Sequence, residues 1–402
     1  MMIPASTRRP KSAPGEETAR LAVQYVRLPG DPAAIDRRDL EISGIHIWQP
    51  PCSENGNKMN PLLTRTFCAV GATMAIICGS VRAESAQSQT ARIVTAANTF
   101  LATLDPKQKA SVSFKFDDEQ QRARWSNLPT TMVRRAGLSM GELNEAQRSA
   151  ALALVASALS RRGYEKVQQI MEGDEILNGK EPARHMFGKD LFYISLLGTP
   201  SEKDPWMLQF GGHHLALNIT LIGEHGVFTP THTAAQPALY QLNGRTIRPL
   251  GQENDKAFTL LNALDDGQRK KAILSFKVAD LVLGPGHDGQ TIQPEGLKAS
   301  DMNDKQRQML LDLVSEWTGI ASDSFADARM AEVKAGLDDT WFAWSGPTTI
   351  EPGKNGSAYF RVQGPKLVIE YAPQRLGGDL TMHIHTMYRD PTNDYGRAPT
   401  KQ

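Results

Sequence analysis

The chain predicts an α+β fold of two pseudo-symmetric halves. Each half is a helical subdomain followed by an antiparallel strand meander, with the meanders sharing one sheet. Three observations point there: segments that read twice roughly 160 residues apart, helix-start signals at matching places in both copies, and short apolar runs between turn residues after each helical block.

The repeat can be read residue by residue. Leu101-Ala-Thr-Leu-Asp105-Pro-Lys-Gln108 matches Leu261-Asn-Ala-Leu-Asp265-Asp-Gly-Gln268, and Ser113-Phe-Lys-Phe116 matches Ser275-Phe-Lys-Val278. Gly137-Leu-Ser with Asn144-Glu-Ala-Gln147-Arg148 matches Gly296-Leu-Lys with Asn303-Asp-Lys-Gln306-Arg307. Asp105 with Gln108, and Asp265 with Gln268, fit a helix N-cap with its N3 partner, and Pro106 suits the first helical position. Asn144 with Gln147 and Asn303 with Gln306 fit the same device. Ile93, Ala97, Phe100 and Leu104 recur at helical spacing ahead of the first cap. Leu152, Val155 and Leu159 do so after the second, as do Leu310, Leu313, Val314 and Trp317 in the other half. All of these read as packing residues.

Strand-like runs follow at 191–197, 206–210 and 214–222, and again at 358–363, 366–371 and 381–388. Gly198-Thr-Pro200, Gly211-Gly212, Gly364-Pro365 and Gly377-Gly378 separate them. The gaps are too short for βαβ crossovers.

The chain divides into 1–58, 59–83, 84–250 and 251–402. Residues 1–58 are polar and aperiodic, and read as an upstream artefact or a leader without order of its own. Residues 59–83 have a basic start, an uncharged apolar run at 66–81 and small residues at Val81-Arg82-Ala83, the layout of a secretory signal. The expectation is a secreted or periplasmic protein with no membrane attachment after cleavage. Cys52, Cys68 and Cys78 all precede the proposed cut, so any metal in the remainder must be held by His, Asp or Glu. Lys+Arg total 45 against Asp+Glu 44, which gives no basic surface for nucleic acid.

Four of the nine histidines concentrate in two places. His383 and His385 are two apart on a predicted strand and so share a face, a spacing that offers two imidazoles to one ion. Gly211-Gly212-His213-His214 precedes another strand. On regular strand geometry only one of His213 and His214 can join a site, unless the glycines re-aim the chain. Glu370, with Gln209 at a similar place in the other half, adds a carboxylate. The candidate metal ligands are therefore His213, His214, His383 and His385. Glu370 is a candidate ligand or catalytic base, and Gln209 and Arg361 are candidate substrate contacts. Arg361 is expected to pair with Glu370 in preference to clamping an anionic substrate. His232 lies in a Thr/Pro-rich segment and receives no role. A phosphate-binding P-loop, a dinucleotide glycine turn, a G-x-S-x-G elbow and an H-E-x-x-H helix are all absent.

Gln209-Phe-Gly-Gly-His-His-Leu215, Tyr359-Phe-Arg-Val-Gln-Gly-Pro365, Ile369-Glu-Tyr371, His383-Ile-His385 and Asn393-Asp-Tyr-Gly396 resemble the bacterial domain-of-unknown-function family 3500 over roughly residues 90–396. The resemblance implies a fold-level grouping and no particular reaction. Relatives are expected to carry Asp-Asn after the Glu-Tyr, where this chain has Ala372-Pro373.

Two functions follow. One is a metal-dependent hydrolase, zinc being the expected ion, acting on a small molecule or peptide. The other is a non-catalytic binding protein for a polar small molecule or peptide. Imidazole nitrogens within roughly 3–4 Å of one another favour the metal; imidazoles spread along a groove favour the binder.

Overall fold

The computed structural model describes residues 88–179 and 185–397. Residues 1–58, the segment 59–83 read above as an export signal, and the three cysteines lie outside the described residues.

Helices begin where the capping side chains place them. Asp105 Oδ1 accepts from Gln108 N at 2.8 Å, and Gln108 Oε1 accepts from Asp105 N at 3.2 Å. Asp265 with Gln268, Asn144 with Gln147 and Asn303 with Gln306 close the same reciprocal box. Removing one such cap costs about 1 kcal/mol. The paired glutamines also meet each other: Gln147 Nε2 donates to Gln108 Oε1 and Gln306 Nε2 to Gln268 Oε1, 2.8 Å each. One helix start is thereby locked to the next in both places.

Nine α-helices occur among the described residues: α1 Gln89–Ala102, α2 Pro106–Val112, α3 Glu119–Arg122, α4 Glu145–Ala158, α5 Arg161–Asn178, α6 Gly251–Asn262, α7 Asp266–Ala272, α8 Asp304–Thr318 and α9 Asp323–Ala335. The strands are β1 Ser113–Phe114, β2 Leu138–Ser139, β3 Tyr193–Leu197, β4 Trp206–Gly211, β5 Leu215–Ile222, β6 His225–Val227, β7 Thr231–Ala235, β8 Tyr240–Leu242, β9 Arg245–Ile247, β10 Leu297–Lys298, β11 Trp341–Ser345, β12 Tyr359–Gly364, β13 Leu367–Pro373 and β14 Ile384–Arg389. No helix among the described residues is long and apolar enough to cross a membrane.

One mixed sheet carries both meanders, in the order β1-β3-β4-β5-β7-β14-β13-β12-β11-β10, with β2 on β3 and β6 on β5. Among the strand pairs of the described residues, β1–β3 is the parallel one, and an isolated Ile273–Trp344 bridge is also parallel. The sequence reading places His232 in a Thr/Pro-rich loop and gives 231–235 no strand. The segment is β7, and it is the strand that joins the meanders, pairing with β5 on one side and β14 on the other. Trp341–Ser345, outside the strand-like runs read from the sequence, is also a strand.

Opposed residues on neighbouring antiparallel strands share a face. Phe210, Leu217, Ile384, Tyr371 and Phe360 therefore line one face, and they pack with the helices in two large apolar clusters. Burying each such side chain contributes about 1.5–3 kcal/mol. Gln209, Asn218, His232, Met387, His385, Glu370 and Arg361 line the other face. Loops cover this second face, with a small cluster of Trp125, Met207, Ala216, Met387 and Tyr395 beneath them.

Candidate metal centre

The histidine segments meet where β5 and β14 begin, on either side of the end of β7. Gly211 pairs with Ala216, and Gly212 N donates to Leu215 O at 2.9 Å, so His213 and His214 form the short connection between β4 and β5. Strand alternation does not govern a turn. Both rings accordingly lie together, with centroids 3.8 Å apart, and both are buried. Gly211 permits the turn: a Cβ there would stand 2.2 Å from Leu215 O.

Three nitrogens converge. His383 Nε2 lies 2.9 Å from His385 Nε2 and 3.3 Å from His214 Nε2, and the three ligand atoms all fall within 4.8 Å of one another. Two ligands at 2.0–2.1 Å from a tetrahedral ion stand about 3.3 Å apart, so this spacing fits a shared ion.

The opposite ring nitrogens are held. His383 Nδ1 donates to Leu376 O at 3.0 Å, since a carbonyl can only accept. His214 Nδ1 meets Asp174 Oδ1 at 2.5 Å. His383 Nε2, left without a proton by the Nδ1–H bond to Leu376 O, faces His214 Nε2 at 3.3 Å in the buried interior. Where both nitrogens carry lone pairs, a cation between them relieves their repulsion. His385 Nδ1 is 3.3 Å from the Asn127 side-chain amide. Turned about its Cγ, the same amide presents an acceptor. Carboxylate, carbonyl and amide partners on the far nitrogens are the supports that metal-bound imidazoles use.

The rings are held neutral. Burial, together with the neighbouring imidazoles, pushes His213, His214 and His385 well below the ordinary histidine value. Burial lowers His383 and His232 to about 4. Burial also raises Asp174 well above the usual carboxylate value, with Glu175 adding to the shift and a hydrogen bond from the His214 backbone opposing it.

His213 stands apart from the three-nitrogen group. It stacks on His214 and Phe187, and its buried Nδ1 has no partner among the described residues. It forms a second possible group with Asp174 and His214.

Glu370 is not drawn into either group. It accepts from Val282 N at 2.8 Å, Leu283 N at 2.7 Å and Tyr359 Oη at 2.7 Å, so both oxygens are engaged in pinning the 282–283 loop to the sheet. Arg361 sits opposite Glu370 in the β12–β13 register, yet its guanidinium pairs with Glu295 at 3.0 Å, which corrects the expected Arg361–Glu370 pair. The Glu370 carboxylate is already occupied by the loop. Gln209 donates to Arg122 O and Asn218 Oδ1 at 2.9 Å each, and accepts from Gln121. Glu370→Gln is expected to cost about 1–3 kcal/mol, because a donor would face a backbone N–H. Metal content should not change. Urea denaturation with elemental analysis checks this; metal loss equal to that of a histidine variant would contradict it.

Three residues escape the sequence reading: Asp174, Asn127 and His232. Asp174 carries a usable signal, for it continues the stripe Val167, Ile170, Met171 at helical spacing on α5, and a carboxylate on a buried stripe needs a partner. Asn127 is a loop residue with no such pattern. His232 lies beneath His385, with ring centroids 5.1 Å apart; its Nδ1 donates to Thr386 O at 2.8 Å and its buried Nε2 has no partner among the described residues.

The family model described as "Protein of unknown function (DUF3500)" matches residues 86–397. No curated protein and no solved structure matches the chain. With that match covering most of its length, and both histidine segments inside it, the chain belongs to the DUF3500 family.

Proposed function

We propose that this chain is an exported metal-binding protein, secreted or periplasmic, whose His214, His383 and His385 hold a divalent ion, zinc, for hydrolysis of a small molecule or peptide. The observation that carries the reading is the convergence of three buried imidazole Nε2 atoms, His383 standing 3.3 Å from His214 and 2.9 Å from His385. Three imidazoles leave a tetrahedral ion one further position, and an ion so held supplies an activated water. Asp174 fixes the tautomer and orientation of His214. His213 lies against His214 with its Nδ1 unpartnered among the described residues.

Burial favours a second reading. His214, His383 and His385 are 0%, 3% and 4% exposed, as suits a structural ion in a non-catalytic binding protein.

The matched capping boxes and the sheet order also support an internal duplication in which β3-β4-β5-β7 corresponds to β11-β12-β13-β14. Superposing the two halves of an experimental structure tests this; failure of those strands to align would end it.

Elemental analysis of untagged protein, with His385→Ala beside it, tests the metal. The expected result is about one ion per wild-type chain, and an affinity loss of about a hundredfold or more in the variant. No metal after reconstitution with zinc, cobalt or copper would remove the proposal. Cobalt-loaded protein then separates the two readings: a visible spectrum that shifts with added azide indicates an open position, and an unresponsive one indicates a structural ion.

A further inference from the structure

A cavity of about 290 Å³ opens at the opposite end of the sheet, between the β5–β6 hairpin and α9. The histidines stand where β5 and β14 begin, whereas Ile222 and Tyr388, near the ends of those strands, line this cavity. Strand rise puts the two places roughly 20 Å apart. The volume is at the lower edge of small-molecule sites, about 300 Å³ upward.

Its walls combine two chemistries. Phe228 and Phe325, with ring centroids 5.8 Å apart, supply an aromatic side, and Ala321 and Ala328 continue it. The charged lining is Glu224, Glu332 and Asp390 against Arg329. Arg329 is already committed: it pairs with Asp390 at 3.0 Å, donates to Tyr388 Oη at 2.9 Å, and bonds Glu332 and Lys366 O. An anionic guest would find no free cation among the described lining residues, while a cationic one would meet surplus carboxylate and ring faces.

Two further groups lack partners that a guest could supply. The Thr318 hydroxyl lines the cavity, is 3% exposed and has no hydrogen bond. Buried hydroxyls are otherwise satisfied. Across the hairpin, Ile222 pairs with His225 beside the turn, so ladder alternation leaves the N–H and C=O of Gly226 facing away from β5.

We propose that this cavity is a second ligand site, separate from the histidine centre, and that it takes a small organic cation with an aromatic or apolar body, such as an arylalkylammonium. The cationic head would lie among Glu224, Glu332 and Asp390, the body against Phe228 and Phe325, and a hydrogen-bonding group would meet Thr318.

The test is an NMR or calorimetric titration of the full described chain with 2-phenylethylammonium, and with 3-phenylpropionate as the anion of matched shape. The expected result is saturable one-site binding of the ammonium at about millimolar Kd or tighter, with the propionate at least about tenfold weaker. Ala328→Trp, at an exposed wall position, should block the cavity and abolish binding. Glu224→Lys, at the exposed hairpin turn, should weaken the ammonium about threefold or more without touching the core. The proposal is overturned by absence of saturation up to about 10 mM, by equal binding of the two probes, or by unchanged binding in Ala328→Trp at wild-type melting temperature. Should Ala328→Trp melt early, Glu224→Lys decides: undiminished ammonium binding there overturns the proposal too.

Discussion

Metal-free protein is expected to unfold as the pH falls from 7 towards 5. Five imidazoles, His213, His214, His232, His383 and His385, are buried and held neutral, two of them at about 4. Unfolding returns each to about 6.5. Above that value both states are neutral and nothing is gained or lost. Between about 6.5 and 4 the unfolded chain binds protons that the folded chain refuses, so stability falls as the pH falls. Asp174, Glu253 and Asp394 act in the opposite sense, because burial raises them and the fold keeps their protons at higher pH. The net is roughly two to five protons, or about 3–7 kcal/mol per pH unit near pH 5.5. Against a typical total of about 5–15 kcal/mol, one to two units suffice. Tryptophan fluorescence of chelator-treated protein against pH measures the midpoint, with buried Trp206, Trp317 and Trp344 as reporters. Zinc should move the midpoint to lower pH, since an ion on those nitrogens competes with protons. A metal-free melting temperature equal at pH 7 and pH 5 would contradict the whole electrostatic picture of the centre.

Arg389→Met should destabilise the protein by about 3–5 kcal/mol. Arg389 is fully buried at the end of β14. It pairs with Asp394 at 2.7 Å and Asp288 at 2.9 Å, and donates to Leu283 O at 2.7 Å and Gly284 O at 2.9 Å. Methionine fills much of the volume but leaves a buried carboxylate and two carbonyls without their donor. The damage should reach the histidines. The guanidinium lies over Trp125, 5.7 Å from its centroid; Trp125 donates to Tyr395 Oη at 2.8 Å and stacks on His232. A fall in the urea midpoint together with faster chelator stripping of metal is therefore expected. A loss under about 1 kcal/mol would show that the arginine is replaceable there.

The local devices were legible because they are local. Asp105 and Gln108, or Asn303 and Gln306, lie three residues apart, and the capping box they form depends on nothing beyond one helical turn. Apolar alternation likewise marked β4, β5, β12, β13 and β14. Where the neighbouring strand decides, the pattern was silent. Thr231–Ala235 has no apolar alternation, for all five residues are buried and polar side chains bond across the sheet: Thr233 Oγ1 meets Thr386 Oγ1 at 2.7 Å.

The candidate centre divides along the same line. Sequence spacing by itself determined that His383 and His385 stand close together, and that two glycines free the chain before His213 and His214. Tertiary structure alone decided the rest. It seated β7 between the two histidine segments, brought Asp174 from α5 against His214, and gave Glu370 to the 282–283 loop instead. The reason is that a hydrogen bond or a metal–nitrogen contact acts over about 2–3 Å in space, while His383 is brought to His214 by the sheet order and Asp174 by the packing of α5, neither of which a pattern along the chain encodes.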